Sequence, residues 1–146
     1  MTPADIKDLV SARIPIARTL GLSLEEVGRD RTRVLLRHDP ALLSHTGTLH
    51  SGAQTTAAET AAIALGLAVL EQVEVTCQSK SVELRFRKPA RTDLWATAQL
   101  PAEAVDGLEV RLTAEGKVDL AVLVELSDLA GERLAEGTVI VTLRRL

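Results

Sequence analysis

Apolar positions follow two different periods along this chain. Up to about residue 70 they favour helical spacing, interrupted by one short alternating stretch, and from about residue 81 they alternate every second residue. Thr2-Pro3-Ala4-Asp5 reads as a helix start, with proline at the first helical position and an acid in the first turn. Ile6, Leu9 and Val10 give that helix a narrow apolar stripe. Pro15 removes the bond to Ser11, so the helix is expected to end near Arg13 or to continue only with a break. Residues 1–20 thus form an N-terminal helical segment. Leu22 to Val27 and Arg31 to Arg37 read as strands joined through Gly28, Arg29 and Asp30, and residues 38–50 as a long loop.

Ser51 to Leu70 is predicted as a central helix, because Ala, Leu, Gln and Glu dominate it and no proline interrupts it. It is apolar nearly all round, as befits a helix covered on most sides. Ala57, Ala58, Ala61, Ala62, Ala64, Gly66 and Ala68 leave its backbone almost bare, so that a sheet can wrap closely around it. Beyond it, Val82, Leu84 and Phe86 alternate with Ser81, Glu83, Arg85 and Arg87. Leu94, Ala96, Ala98 and Leu100 repeat the pattern, as do Val118, Leu120, Val122, Val124 and Leu126. A last strand is expected from about Glu132 to Leu143. Pro101 and Gly116 bracket a short helix. Helix, hairpin, long helix and meandering strands describe an α+β layer in which one sheet curls around one buried helix.

A chain of 146 residues suits a single domain spanning 1–146, and a chain of that length buries roughly 70% of its unfolded surface. Phe86 and Trp95 are the only members of the Phe, Trp and Tyr group, so the core is expected to consist of Leu, Ala and Val with close backbone approach. One cysteine excludes a disulfide scaffold, and 25% charged residues with abundant aliphatics argue against disorder. Cys77 has no base beside it in sequence to make it a nucleophile. A net charge of −3 and scarce stacking platforms give no reason to expect nucleic acid. The first ten residues carry charges where a signal peptide needs an apolar stretch, and the apolar run Ala61 to Leu70 is too short to cross a bilayer. A soluble cytoplasmic protein without a membrane partner is therefore the expectation.

Glu59 is the only charged residue from Ser51 to Leu70. A lone carboxylate on an apolar helix costs several kcal/mol unless it is paired, hydrogen-bonded or facing solvent. Either it meets a solvent gap or an arginine from the sheet, or it serves chemistry; Thr55 and Thr56 precede it on the same face. Just before the helix comes Ser44-His45-Thr46-Gly47-Thr48-Leu49-His50-Ser51-Gly52. Small residues and glycines at a helix entrance suit a loop whose backbone N–H groups face an anion or a developing oxyanion, although the same residues also serve as ordinary caps. His45 and His50 lack a Cys or carboxylate at ligand spacing, so no metal is expected.

The run Gly47-Thr48-Leu49-His50-Ser51-Gly52, followed by Glu59-Thr60-Ala61, resembles the hotdog-fold thioesterases of the phenylacetate-degradation type. Their pattern is Asn, two residues, Gly, two residues, His, Gly or Ala, Gly, then an Asp or Glu on the helix. Ser79 and Phe86-Arg87-Lys88-Pro89-Ala90-Arg91 are similar to the strand and Pro-Ala turn that follow the helix in that family. The resemblance covers most of the chain from Leu42 onward. It implies a hotdog fold and acyl-coenzyme A thioester hydrolysis, with coenzyme A as part of the substrate and no separate cofactor. It further implies Glu59 as base or nucleophile, His50 and Gly52 polarising the carbonyl, and Ser79 orienting water. Ser44, His45, Gly47 and Ser51 would line the substrate. Ser44 stands where Asn is usual and Ser51 replaces the first glycine of a common pair.

Helix geometry adds an assembly argument. Glu59 lies roughly 12 Å beyond a helix entrance at Ser51, too far for both to act on one carbonyl. Two antiparallel copies of the helix would bring Glu59 of one chain to the Gly47–Gly52 loop of the other, so a homodimer is expected, with a tetramer as a further level of assembly. Arg85, Arg87, Lys88 and Arg91 then either meet the phosphates of coenzyme A or form a charged strand edge that resists aggregation. Two other functions stay open: an enoyl or 3-hydroxyacyl thioester hydratase-dehydratase using His45 and Glu59, and a non-catalytic acyl-thioester-binding dimer.

Overall fold

The computed structural model describes residues 1–146. Helix α1 (Pro3–Arg13) opens with a capping box: Thr2 Oγ1 accepts from the Asp5 amide, and the Asp5 carboxylate accepts from the Thr2 amide. Ile14 adopts extended geometry, and Pro15 then occupies the first position of a second helix, α2 (Pro15–Thr19). Pro15 thus starts a helix as well as ending one, because a first-turn position needs no N–H donor.

Strands β1 (Ser23–Val27), β2 (Arg31–Leu36), β3 (Val75–Phe86), β4 (Leu94–Gln99), β5 (Lys117–Asp128) and β6 (Arg133–Arg145) form one antiparallel sheet in the order β1-β2-β4-β5-β6-β3. Helix α3 (Ser51–Ala68) packs against the inner face of this curved sheet, and the arrangement is the hotdog fold. The Pro101–Gly116 segment carries two helices, α4 (Ala102–Val105) and α5 (Leu108–Glu115), because Gly107 adopts a left-handed conformation between them.

Ala57, Ala58, Ala61, Ala62 and Ala64 of α3 are wholly buried beneath Val34, Leu36, Leu94, Val122, Leu126, Val139, Val141 and Leu143 of the sheet and its borders. The closest approach is at Gly66, where a Cβ would lie 2.5 Å from Cys77 Sγ and 3.2 Å from Leu143 Cδ2. Thr32 Oγ1 reaches from β2 to donate to the Ala61 carbonyl at 2.6 Å, which fixes the height of α3 over the sheet. Neither large aromatic belongs to the core. Trp95 stacks under Arg33, whose guanidinium carbon is 4.2 Å from the ring centroid, and Phe86 is 45% exposed.

Strand β3 is an edge strand, paired only with β6. A register shift between Ser79 and Ser81 breaks its alternation. Beyond that bulge, Val82, Leu84 and Phe86 oppose Val139, Gly137 and Ala135, and so share the inner face of the sheet with them. Leu84 packs against the core, whereas Val82 and Phe86 stay exposed.

Candidate functional site

The loop before α3 is a small closed structure. Ser44 N–H donates to the Thr48 carbonyl, Gly47 N–H to the Ser44 carbonyl, and Leu43 bridges Leu49. Gly47 has φ +76°, a left-handed conformation that glycine adopts without strain. The Ser44 hydroxyl lies 2.8 Å from that of Thr46 and 3.3 Å from that of Thr48, so it is held within the loop. His45 is exposed beside this cluster. The buried Ala90 of the Pro-Ala turn accepts from Leu49 N–H at 2.9 Å, and Leu42 accepts from His50 N–H. These two bonds position the start of α3.

His50 is the N-cap, and its Nδ1 accepts from the Gly52 amide at 2.8 Å. That bond places the proton of a neutral imidazole on Nε2, and His50 is exposed at the helix entrance. Gly52 therefore acts first on His50, orienting a side chain that presents an N–H donor. Thr55 and Thr56 turn back to bond the Ser51 and Gly52 carbonyls at 2.7 and 2.9 Å. Both hydroxyls are thus engaged within the first turns of α3 and make no hydrogen bond to Glu59.

Glu59 is half-buried and has no ion-pair or hydrogen-bond partner. Seven residues separate it from Gly52, so the two share one face of α3 about 10 Å apart along the axis. The helix runs along β3 from Ser51, which lines a recess with Phe86, to Gly66 against Cys77. At about 1.5 Å per helical and 3.3 Å per strand residue, Glu59 comes level with the stretch of β3 just beyond the Ser79–Ser81 bulge. The Ser79 hydroxyl is buried and unpartnered, one of few such atoms in the molecule.

Two recesses flank the α3 entrance. One, of about 380 Å³, is polar and is lined by Ser44, Thr48, Ser51, Gln54, Arg87 and Lys88, with Phe86 at its wall. Gln54, which the apolar pattern of the sequence does not single out, is 4% exposed; its Nε2 donates to the Leu49 carbonyl at 2.9 Å, and its Oε1 has no partner. A lone amide on an otherwise apolar helix was the available signal. The other recess, of about 310 Å³, is apolar and reaches His50 and Gly52 from the opposite side.

The basic cluster is divided among acids. Arg87 donates to Glu136 at 2.7 Å, which lowers the carboxyl of Glu136 below its ordinary range and raises the guanidinium. Lys88 pairs with Glu132, and that hydrogen bond raises its ammonium group. Arg85 approaches Glu83 at 3.9 Å, while Arg91 is exposed and unpaired. Burial pushes the Cys77 thiol up to about 12, the opposite of what a nucleophile requires. No three His, Cys, Asp or Glu side chains converge to hold a metal, and no helix is long and apolar enough to cross a membrane.

The chain belongs to the family described as Domain of unknown function (DUF4442), which it matches over residues 3–143. It is similar in structure to a Pseudomonas aeruginosa protein of unknown function described as a probable thioesterase, at 27% identity and a TM-score of 0.86, covering 100% of this chain and 97% of that one. Similarity extends to AziG from S. sahachiroi, at 27% identity and a TM-score of 0.74, over 90% and 98% of the two chains. A thioesterase from Haemophilus influenzae shares the fold at 16% identity and a TM-score of 0.77, over 100% and 92%. No curated protein matches the chain.

Proposed function

We propose that this protein hydrolyses an acyl-coenzyme A thioester as a homodimer, with Glu59 of one chain acting on a carbonyl held at the α3 entrance of its partner. The observation that carries this reading is a partnerless Glu59 on the helix face of Gly52, about 10 Å beyond the amide that His50 caps. A twofold axis beside antiparallel copies of α3 brings the two groups together from different chains. The unpaired β3 edge and the exposed Val82 and Phe86 support such a pairing. The description of the P. aeruginosa relative supports the reaction class.

In this mechanism the Glu59 carboxylate takes a proton from water as the oxygen attacks the thioester carbon. Negative charge develops on the carbonyl oxygen, where His50 Nε2–H and the α3 N-terminus stabilise it. Collapse breaks the carbon–sulfur bond and expels the coenzyme A thiolate, leaving a carboxylic acid. Ser79, whose buried hydroxyl has no partner, orients the water. The cations Lys88 and Arg91 serve the coenzyme A phosphates, although Lys88 must exchange Glu132 for them. Coenzyme A belongs to the substrate, so the reaction needs no separate cofactor.

A thiol-release assay across an acyl-coenzyme A panel tests the reading. Turnover by the native chain and its loss in Glu59→Gln are expected; unchanged turnover in that variant removes Glu59 from the mechanism. Hydration of an enoyl thioester without thiol release would replace hydrolysis with the dehydratase chemistry.

A further inference from the structure

The α3 entrance separates two recesses of opposite character. On one side lies the polar recess with Ser51, Gln54, Arg87 and Lys88. On the other, a groove of about 310 Å³ runs between α2 and the first two turns of α3, walled by Ile16, Leu20, Leu42, Leu43 and Ala53. His50 and Gly52 border that groove directly, so anything bonded to a carbonyl at His50 Nε2 can extend into it. A thioester has the matching polarity: a polar, anionic arm on sulfur and an acyl arm on carbon.

We propose that this groove binds the acyl arm, and that the substrate is a flexible aliphatic acyl thioester of short to medium length. The assignment rests on the hydrolase reading for the carbonyl position and on the wall chemistry for the acyl class. Apart from His50 and Thr56 at the α3 side, the lining side chains are aliphatic, with no Phe, Tyr or Trp to stack on a substrate ring and no carboxylate, Lys or Arg to meet a charged chain. Ile16 is 54% exposed in this wall, an apolar surface that an alkyl chain would cover. A water-sized group takes about 30 Å³, so the groove has room for roughly ten groups of methylene bulk.

The probes are non-hydrolysable S-alkyl-coenzyme A thioethers with chains of increasing length, their affinities measured by calorimetry alongside thiol release from the corresponding acyl thioesters. Affinity is expected to rise about fourfold per added methylene until the groove is full, then to level off. Ile16→Asp places a charge in the wall at a first-turn position where α2 accepts an acid, and Ala41→Trp fills the groove from an exposed turn. Each is expected to bring the gain per methylene close to one. A native chain with no chain-length gain, or folded variants that keep the native gain, overturns the groove assignment. If no acyl thioester releases thiol yet the gain is present and lost in both variants, the hydrolase reading falls and the groove stands. If thiol is released equally at all lengths and the thioethers bind equally, the groove falls and hydrolysis stands.

Discussion

At the scale of single residues, His50 has two separable duties. Its Nδ1 caps α3 through Gly52, and its Nε2 faces outward. Asn caps a helix about as well as any residue, whereas Ala costs about 1 kcal/mol. His50→Asn is therefore expected to keep the native melting temperature, and His50→Ala to lower it by several degrees. Both lose the Nε2–H donor, so both should lose about 10²-fold in kcat, as expected for removal of one oxyanion contact. Equal turnover in the native chain and His50→Asn would confine His50 to capping. Glu59→Gln keeps the size of the side chain and removes the proposed base, and general-base catalysis is worth about 10²–10⁴-fold. Turnover should fall by that much with an unchanged thermal melt.

Cys77 supplies a residue-scale test of packing. Its thiol is pushed up to about 12 by burial against Gly66. The folded state thus holds this proton to higher pH than the unfolded chain, whose thiol ionises near about 8.5. Stability from this group is intact below that value and falls as pH rises through the interval up to about 12. A chemical-denaturation series should show the loss beginning above the ordinary thiol range and absent in Cys77→Ala. At neutral pH an aromatic disulfide reagent should react with the half-buried Cys77 more slowly than with the same thiol in the unfolded chain.

Among the elements, the two inner-face glycines differ in what surrounds them. A Cβ at Gly66 meets side-chain ends, Cys77 Sγ first, whereas one at Gly137 would lie 1.8 Å from the Glu83 carbonyl oxygen in the backbone of β3. A side chain can turn aside, but a paired strand cannot. Gly137→Ala should therefore cost about 3 kcal/mol or more by levering β3 away from β6. Gly66→Ala should cost less, since alanine regains about 1 kcal/mol of helix propensity, and Cys77→Ala should relieve it further. Equal melting temperatures for the two glycine variants would contradict this picture of β3.

The same strand explains which elements the sequence pattern disclosed. β5 and β6 bury one face along most of their length, so Val118 to Leu126 alternate cleanly and were legible. The first half of β3, Val75 to Lys80, escaped because an edge strand with polar residues on its outer face gives a weak signal, and the Ser79–Ser81 bulge then shifts the period by one. The α3 entrance was legible through its glycines, but not the bond from Gly52 to His50. That bond depends on how Leu42 and Ala90, far apart in sequence, hold the loop. Thr55 and Thr56 share the face of Glu59 without bonding it for a related reason: helical hydroxyls find the carbonyl four residues back before they find a neighbouring carboxylate.

For the whole molecule, the decisive question is whether one chain holds a complete site. An exposed twelve-residue edge strand with an apolar row on its inner face is an aggregation hazard unless something covers it. A second copy of β3 would extend the sheet and cover Val82 and Phe86. Light scattering should then give twice the chain mass, and Leu84→Glu should give monomers that retain Glu59 and His50 yet turn over no substrate. The sharper test mixes two defective chains. If the site is shared, a heterodimer of Glu59→Gln with His50→Asn contains one site bearing both lesions and one bearing neither. Random reassociation should then restore about a quarter of native turnover, because half of the dimers each regain one of two sites. Were Glu59 to act on a carbonyl at its own helix entrance, every chain in the mixture would carry a lesion and mixing would restore nothing. Recovery therefore reports directly that catalysis crosses the twofold axis, independently of which acyl group is cleaved.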